Sequence, residues 1–381
     1  MQPSDIPGQA DLKRVFREMA DENRAPHAML LHENRGGSGL ALALLLAQTM
    51  LCTSREGGDP CGTCPQCIQC QSLTHPDIHF VFPTNTNARI KKTEQRFSDN
   101  FYPEWREAVH DNLFLSLADW YRKIDIEKKQ GIIGDHDVTR VREKLSLRAH
   151  SGGVRIFIIW HAEKMNDSFA NKILKNLEEP SKNTMFLLIS DSPASLLTTI
   201  ISRVQIFRED HLDEELLADM LVAKYDLEKR DALAIAFRAE GNISSAIREA
   251  NEEEEPWLME FKSWMRLAYS RDLAGLLKWS DSMTRRNRDE QRQFCRAALA
   301  IIDRCYRMGW IEVNIPMESS DLKFFLDFSP FINTVNAQGF LELVEEASAH
   351  IERNVSGRMV WFDSSIKATR LVHYGKKSAA E

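Results

Sequence analysis

The first half of the chain alternates short apolar runs with stretches of helical periodicity. The apolar runs lie at residues 28–31, 78–82, 154–160 and 185–189. Uninterrupted apolar runs of this length are typical of strands that are buried on both faces of a parallel sheet. The helical stretches lie at residues 11–23, 40–51, 137–148 and 166–178. Strands that alternate with helices predict an α/β domain, which we place at residues 1–209.

The second half of the chain has a different pattern. Residues 210–254 predict short helices that form a small helical lid domain. An acidic run at 252–255 and Pro256 then mark a boundary, and residues 255–381 predict an all-α C-terminal domain. Within the first domain, the polar stretch 84–131 carries scattered aromatic residues and predicts an insertion with its own helices.

Composition and charge limit the classes of protein to which the chain can belong. Hydrophobic residues make up 43% and charged residues 28% of the sequence, as in ordinary globular proteins. The sequence has no apolar run of about 18 residues and no secretory signal pattern, so we expect a cytoplasmic protein without membrane contact. The net charge of −7 disfavours a protein that grips DNA over a broad surface. Any contact with nucleic acid is therefore expected to be local or shared with partners.

A glycine cluster follows the first apolar run and precedes a helical stretch, which is the layout of a phosphate-binding loop. A working loop reads G-x-x-x-x-G-K-[ST], in which backbone amides and the lysine bind the phosphates. Here Glu33 replaces the first glycine, Gly39 replaces the lysine and Leu40 replaces the magnesium-binding hydroxyl. We therefore expect that this degenerate loop does not bind ATP productively. Its remaining glycines and hydroxyl are Gly36, Gly37, Ser38 and Gly39.

The apolar run at 154–160 lacks the Asp-Glu pair that would hold magnesium at the end of a nucleotide-hydrolysing strand. It ends in Trp160-His161, and Glu163 lies beyond the expected end of the strand. His161 is interpreted as an ordinary strand-end residue. Because the loop and the strand predict the same loss, we expect no ATPase activity from the chain itself.

Five of the seven cysteines fall between residues 52 and 70. In a reducing compartment, clustered cysteines indicate a metal site rather than disulfides. Cys52, Cys61, Cys64 and Cys67 supply four thiolates, a set that suits a closed, structural Zn²⁺ site. Cys70 is interpreted as a spare thiol, but it continues the regular spacing, so its use as a ligand and an iron–sulfur cluster remain alternatives. An empty reduced site is a further alternative to zinc.

The stretch Asn171-Lys-Ile-Leu-Lys-Asn-Leu-Glu-Glu-Pro180 closely resembles the N-A-L-L-K-x-L-E-E-P segment of bacterial DNA polymerase III clamp-loader subunits. At the family's spacing, Ser202-Arg203-Val204 then resembles its Ser-Arg-Cys motif. Pro26-His-Ala-Met-Leu-Leu31 resembles the P-H-A-L-L strand, and Gly8-Gln9 resembles the early G-Q. The resemblance covers residues 6–82 and 132–208.

The resemblance implies a AAA+ fold in which Arg203, preceded by Ser202, is an arginine finger that reaches the ATP of a neighbouring subunit. It also implies that Cys52, Cys61, Cys64 and Cys67 form the family's zinc module at residues 52–70. The helical C-terminal domain would pack into the collar of a ring of subunits.

A defective phosphate loop combined with an intact finger and cysteine set is typical of the delta-prime branch of this family. The resemblance then implies a hetero-pentameric ring with tau/gamma and delta subunits, within the DNA polymerase III holoenzyme. This ring loads the sliding clamp onto primed DNA during replication.

Other functions remain open. An ATP-hydrolysing, tau/gamma-like subunit with an unusual loop would bind nucleotide as an isolated chain. A zinc-containing DNA-binding module would bind DNA by itself, with an affinity that falls steeply as salt increases. A scaffold without a finger would leave the activity of a loader unchanged when Arg203 is replaced.

Overall fold

The computed structural model describes residues 1–34, 36–146, 153–251, 256–308, 320–353 and 355–378. Arg35 of the glycine loop and the acidic run at 252–255 lie outside these residues. The chain forms two compact units, Met1–Ile247 and Arg248–Glu381. The finer division into three domains at residues 209 and 254 stays a prediction. Among the described residues, no helix is both long enough and apolar enough to cross a membrane.

The first unit contains a parallel sheet, which confirms the predicted α/β arrangement. Its strands are β1 (Ala28–His32), β2 (Ile78–Val81), β3 (Arg155–Ile159), β4 (Thr184–Ser190) and β5 (Gln205–Arg208). They lie in the order β2-β3-β4-β1-β5, and each neighbouring pair is parallel. Strands β3 and β4 are buried at every position, as their uninterrupted apolar sequences require. The carboxyl ends of β1, β3, β4 and β5 therefore meet at one edge of the sheet.

Helices lie before and between the strands of the first unit along the chain, and three more follow β5. They are α1 (Ala10–Asp21), α2 (Gly39–Leu51), α3 (Pro65–Gln71), α4 (Tyr102–Asp111), α5 (Leu117–Lys123), α6 (Asp135–Ser146), α7 (Asp167–Glu178), α8 (Thr198–Ile201), α9 (Glu214–Tyr225), α10 (Lys229–Ala239) and α11 (Ile243–Ala250). Helices α4 and α5 lie within the predicted insertion.

Helix α7 shows how the local sequence sets the bounds of an element. Its N-terminus is capped by Asn166, whose side-chain oxygen accepts a hydrogen bond from the Phe169 amide at 2.8 Å. It ends at Glu178 because Pro180 disfavours a helical conformation at the residue before it. Glu178 is thereby placed at the C-terminal end of the helix.

The second unit is helical in the residues described. Its helices are α12 (Pro256–Ser270), α13 (Leu273–Arg285), α14 (Arg288–Met308), α15 (Ser320–Phe328), α16 (Ala337–Glu352) and α17 (Gly357–Ser378). Trp264, Trp279 and Trp361 pack together in its core, where the indole rings of Trp264 and Trp279 stack with centroids 5.2 Å apart. The tryptophans of this unit thus serve packing, and the expectation of a helical C-terminal region is confirmed.

Candidate functional site

The glycine loop joins the end of β1 to the start of α2, at the carboxyl edge of the sheet. The first N–H groups of a helix have no partner within the helix and carry partial positive charge. Glu33 is 8% exposed, and its Oε2 accepts a hydrogen bond from the Gly39 amide at 3.1 Å. The carboxyl group of Glu33, which replaces the first glycine, therefore accepts from an amide that would face a phosphate in a working loop.

Glu209, immediately after β5, fills the rest of the loop. Its Oε1 accepts a hydrogen bond from the Ser38 amide at 2.5 Å, and the Ser38 hydroxyl donates to the same oxygen. Its Oε2 accepts a hydrogen bond from the Asn34 amide at 2.7 Å. Burial raises the pKa of Glu209 and raises the pKa of Glu33 to about 8, because a desolvated carboxylate favours its neutral form.

The glycines of the loop make room for these side chains. A Cβ atom on Gly37 would collide with Oε2 of Glu209, and one on Gly39 would collide with Oε2 of Glu33. Gly36 has a φ of +64°, a conformation that favours glycine. The glycines that predict a phosphate loop thus leave space here for the side chains of Glu33 and Glu209.

A buried ion pair lies at the carboxyl edge of the sheet, next to the ends of β3 and β4. Nδ1 of His161 is 2.8 Å from Oε1 of Glu163, and the Ser190 hydroxyl donates to Oε2 of Glu163 at 2.7 Å. Burial opposes both charges, but Glu163 raises the pKa of His161 and His161 lowers the pKa of Glu163. An oxygen of Asp191 lies within 4.8 Å of this pair. The interpretation of His161 as an ordinary strand-end residue did not anticipate this pair.

Trp160 belongs to an aromatic cluster that attaches the insertion to the sheet. Its ring centroid is 5.0 Å from that of Trp105 on α4, which also stacks on Phe82 at 4.2 Å. Trp120 on α5 meets Trp105 edge-on at 5.3 Å and donates from Nε1 to the carbonyl of Pro83. Trp160, which directly follows β3, is therefore part of the core that joins the insertion to the sheet.

The four cysteines singled out from the sequence converge. Their Sγ atoms lie within 4.8 Å of one another, with Cys52 at 3.6 Å from Cys61 and 3.9 Å from Cys64, and Cys61 at 4.0 Å from Cys67. In a tetrahedral site with Zn–S bonds of about 2.3 Å, neighbouring sulfurs are about 3.8 Å apart. The geometry of the four sulfurs therefore fits a zinc ion, and the presence of zinc stays a prediction.

Backbone amides support three of these sulfurs. The Cys64 amide donates to Sγ of Cys61 at 3.3 Å, and the Cys67 amide donates to Sγ of Cys64 at 3.4 Å. Sγ of Cys52 accepts from the amides of Ser54 and Cys61, each at 3.4 Å. Although burial works against it, such hydrogen bonds lower the pKa of Cys64 to about 6. These donors favour thiolates, the form of cysteine that binds metal.

Cys70 lies outside this group of four sulfurs, among the residues described. It is buried on α3, and burial raises the pKa of its thiol to about 12. A buried, protonated thiol behaves as a small apolar residue.

Arg203 lies after α8, and its guanidinium is held by groups of α7 and α8. Nε donates to Oε1 of Glu178 at 2.6 Å, and a terminal nitrogen donates to the carbonyl of Thr199 at 2.7 Å. The same nitrogen lies 3.2 Å from the Ser202 hydroxyl oxygen. The Arg203 side chain is 32% exposed, so it is partly accessible from outside the chain.

Sequence reasoning missed Glu209 and its role in the loop. Glu209 lies 171 residues from Ser38 along the chain, and the short strand that positions it was not predicted. The sequence contains a weak signal for this strand: β5 reads Gln-Ile-Phe-Arg, and its Ile and Phe favour strands. Glu209 follows it directly.

The first unit has the arrangement of a phosphate-loop protein, with a glycine loop between β1 and α2 of a parallel sheet. In this chain the side chains of Glu33 and Glu209 fill that loop. Residues 8–212 match the family described as "DNA polymerase III, delta subunit". The match extends over more than half of the chain, and the chain belongs to this family.

Three relatives, each named DNA polymerase III subunit delta', show how far the similarity extends. The protein of Bacillus subtilis is 28% identical over 250 residues, which are 65% of this chain and 60% of that protein. For the Haemophilus influenzae protein the identity is 28% over 58% of this chain and 55% of that protein. For the Escherichia coli protein it is 28% over 48% of this chain and 42% of that protein. The chain thus matches about half the length of these relatives.

Proposed function

We propose that this chain is a non-hydrolysing, delta-prime-like subunit of a DNA polymerase III clamp loader. One observation carries the proposal: the chain's own loop is filled by Glu33 and Glu209, while a partly exposed Arg203 stands at the position of the finger motif. Membership of the family and relatives that bear the delta' name support this reading.

In this proposal Arg203 completes the ATP site of a neighbouring subunit. A guanidinium that enters from outside stabilises the charge that spreads over the transferred phosphoryl group, an effect of about 10³–10⁵ in rate. The Thr199 carbonyl and the Ser202 hydroxyl orient the guanidinium on its own chain. Thr199 and Ser202 are therefore positioning groups, and Arg203 carries the catalytic charge.

The other partners follow from the same proposal. The chain assembles with tau/gamma and delta subunits in the cytoplasm, and the ring acts on the sliding clamp and primed DNA. Cys52, Cys61, Cys64 and Cys67 hold a structural zinc ion, because four thiolates leave no open coordination position for chemistry.

The test is the DNA-stimulated ATPase activity of a loader reconstituted with the full chain. Arg203→Ala is expected to lower the rate at least about 10-fold. The matched control is Arg24→Ala, which removes an arginine whose side chain is 82% exposed. An unchanged rate with Arg203→Ala would remove the finger from the proposal. Tight ATP binding by the isolated chain would favour the hydrolysing alternative.

A further inference from the structure

Helix α2 is buried along almost its whole length, which leaves its N-terminal amides dependent on the protein for partners. Every residue of α2 except Met50 is buried. Amides at a buried helix start cannot turn to water, and an unsatisfied buried donor is costly. In a working phosphate loop the nucleotide supplies these partners; here the chain must supply them.

Glu209 supplies them in the manner of a phosphate. Its two oxygens reach the amides at both ends of the loop, Asn34 and Ser38, and one of them also accepts from the Ser38 hydroxyl. A carboxylate, like a phosphate, offers several acceptor positions and a negative charge, and such hydrogen bonds are short and strong. Glu33 adds an acceptor for the Gly39 amide.

The loop that Glu209 fills is also tied to two other segments of the first unit. The carbonyl of Gly36 accepts a hydrogen bond from the amide of Ser244, in the first turn of α11, at 3.1 Å. Asp210, the residue after Glu209, exchanges two hydrogen bonds with the side-chain amide of Gln9, at 2.9 Å and 2.8 Å. The loop is thus bonded to the start of α11, and the residue that follows Glu209 is bonded to the N-terminal segment.

We infer that Glu209, assisted by Glu33, is a permanent internal ligand that holds the loop, the end of β5 and the start of α11 in one arrangement without nucleotide. This inference rests on the proposed loss of nucleotide binding and states how that loss is built. A subunit of this kind keeps the same conformation whether or not ATP is present. The carboxylates are therefore the residues that exclude nucleotide, in addition to the missing lysine.

Hydrogen–deuterium exchange of the full chain tests this inference. The amides of Asn34 and Ser38 are expected to exchange slowly in the wild type, at rates that inorganic phosphate and ATP do not change. Glu209→Ala removes both acceptors and should accelerate their exchange about 10-fold or more, the factor that corresponds to one strong hydrogen bond. Inorganic phosphate should slow the exchange of this variant, because the vacated amides then donate hydrogen bonds to the external anion.

Two further variants keep the result interpretable. Glu209→Gln retains one acceptor, so it should give an intermediate exchange rate, and it decides the question if Glu209→Ala fails to fold. Glu94→Ala removes an exposed glutamate of the insertion and should leave the loop amides unchanged.

Two results would overturn the inference: loop amides that exchange at the wild-type rate in Glu209→Ala, or a wild-type loop that responds to phosphate as the variant does. These outcomes are separate from those for the finger. An ATPase rate that Arg203→Ala does not change would contradict the finger but not the exchange result. Loop amides that Glu209→Ala does not change would contradict this inference but not the finger.

Discussion

The guanidinium of Arg203 is paired with the carboxylate of Glu178, with Nε 2.6 Å from Oε1. Both side chains are partly exposed, 32% for Arg203 and 46% for Glu178. A pair with this exposure contributes less than about 1 kcal/mol to stability. In the proposed loader, Glu178 would therefore orient the Arg203 guanidinium for a neighbouring subunit while contributing little to the stability of the chain.

Glu178→Ala is expected to leave the thermal stability of the chain within about 1 kcal/mol of the wild type. In a reconstituted loader it should lower kcat up to about 10-fold without changing KM for ATP, because the guanidinium remains but is less well oriented. Steady-state ATPase kinetics and thermal unfolding measure the two effects. A change in KM with constant kcat would mean that Glu178 acts in ATP binding rather than in positioning Arg203.

Cys64→Ser should weaken zinc binding by more than about 100-fold, because loss of a ligand exceeds the usual effect of losing a supporting hydrogen bond. Metal analysis of the purified full chain measures this directly. Cys70→Ser is the matched control and should retain one zinc per chain, because Cys70 lies outside the group of four sulfurs. Iron with visible absorbance in the wild type would instead establish a cluster, and full zinc in Cys64→Ser would exclude this ligand set.

The stability of the chain should decline between pH 4.5 and pH 8 through Glu33. Its pKa rises from 4.5 to about 8 on burial, so the folded chain binds this proton more tightly than the unfolded chain does. Glu33→Gln keeps an acceptor for the Gly39 amide and removes the titration. The variant should match the wild type near pH 5 and exceed it above pH 8 by a few kcal/mol, at most about 5.

Urea unfolding of both proteins across this pH range measures the difference, and contributions from groups that do not interact with Glu33 cancel in the comparison. A wild type that gains stability relative to Glu33→Gln as the pH rises would reverse the sign of the effect. Glu33 would then be stabilised as a carboxylate by its surroundings.

Trp105→Ala should destabilise the first unit by about 3–5 kcal/mol, the usual cost of deleting a buried aromatic ring. Trp105 is fully buried and contacts Phe82, Trp120 and Trp160. Denaturant unfolding gives the free energy, and Trp105→Phe is a control that should lose less. A loss below about 1 kcal/mol would mean that the insertion is not packed on the sheet as described.

Much of the fold could be predicted because the signals are local. The run at 154–160 contains β3 (Arg155–Ile159), and the stretch 166–178 contains α7 (Asp167–Glu178), each within a residue or two. Strand β5 was missed because it is short, lies at the edge of the sheet and is exposed, so it carries no buried apolar pattern. A strand that is buried on both faces has a continuous apolar sequence that can be recognised, whereas an exposed edge strand does not.

The candidate site divides in the same way. The four cysteines lie within 16 residues of sequence, and their resemblance to the family's zinc module grouped them in a prediction that the geometry fits. Arg203 was found through a motif. Glu209 was not, since its partner Ser38 is 171 residues away and only the sheet order brings them together.

Trp160 limits which substitutions the end of β3 can tolerate. Its side chain is fully buried against Trp105 on the insertion. An aspartate at 160 would place an unpaired charge inside an aromatic core, which is among the most destabilising changes known in proteins. A single substitution therefore cannot create a magnesium-binding strand end, because several packed neighbours would have to change together. The tryptophan that anchors the insertion thus leaves no room for a metal-binding carboxylate at the end of β3.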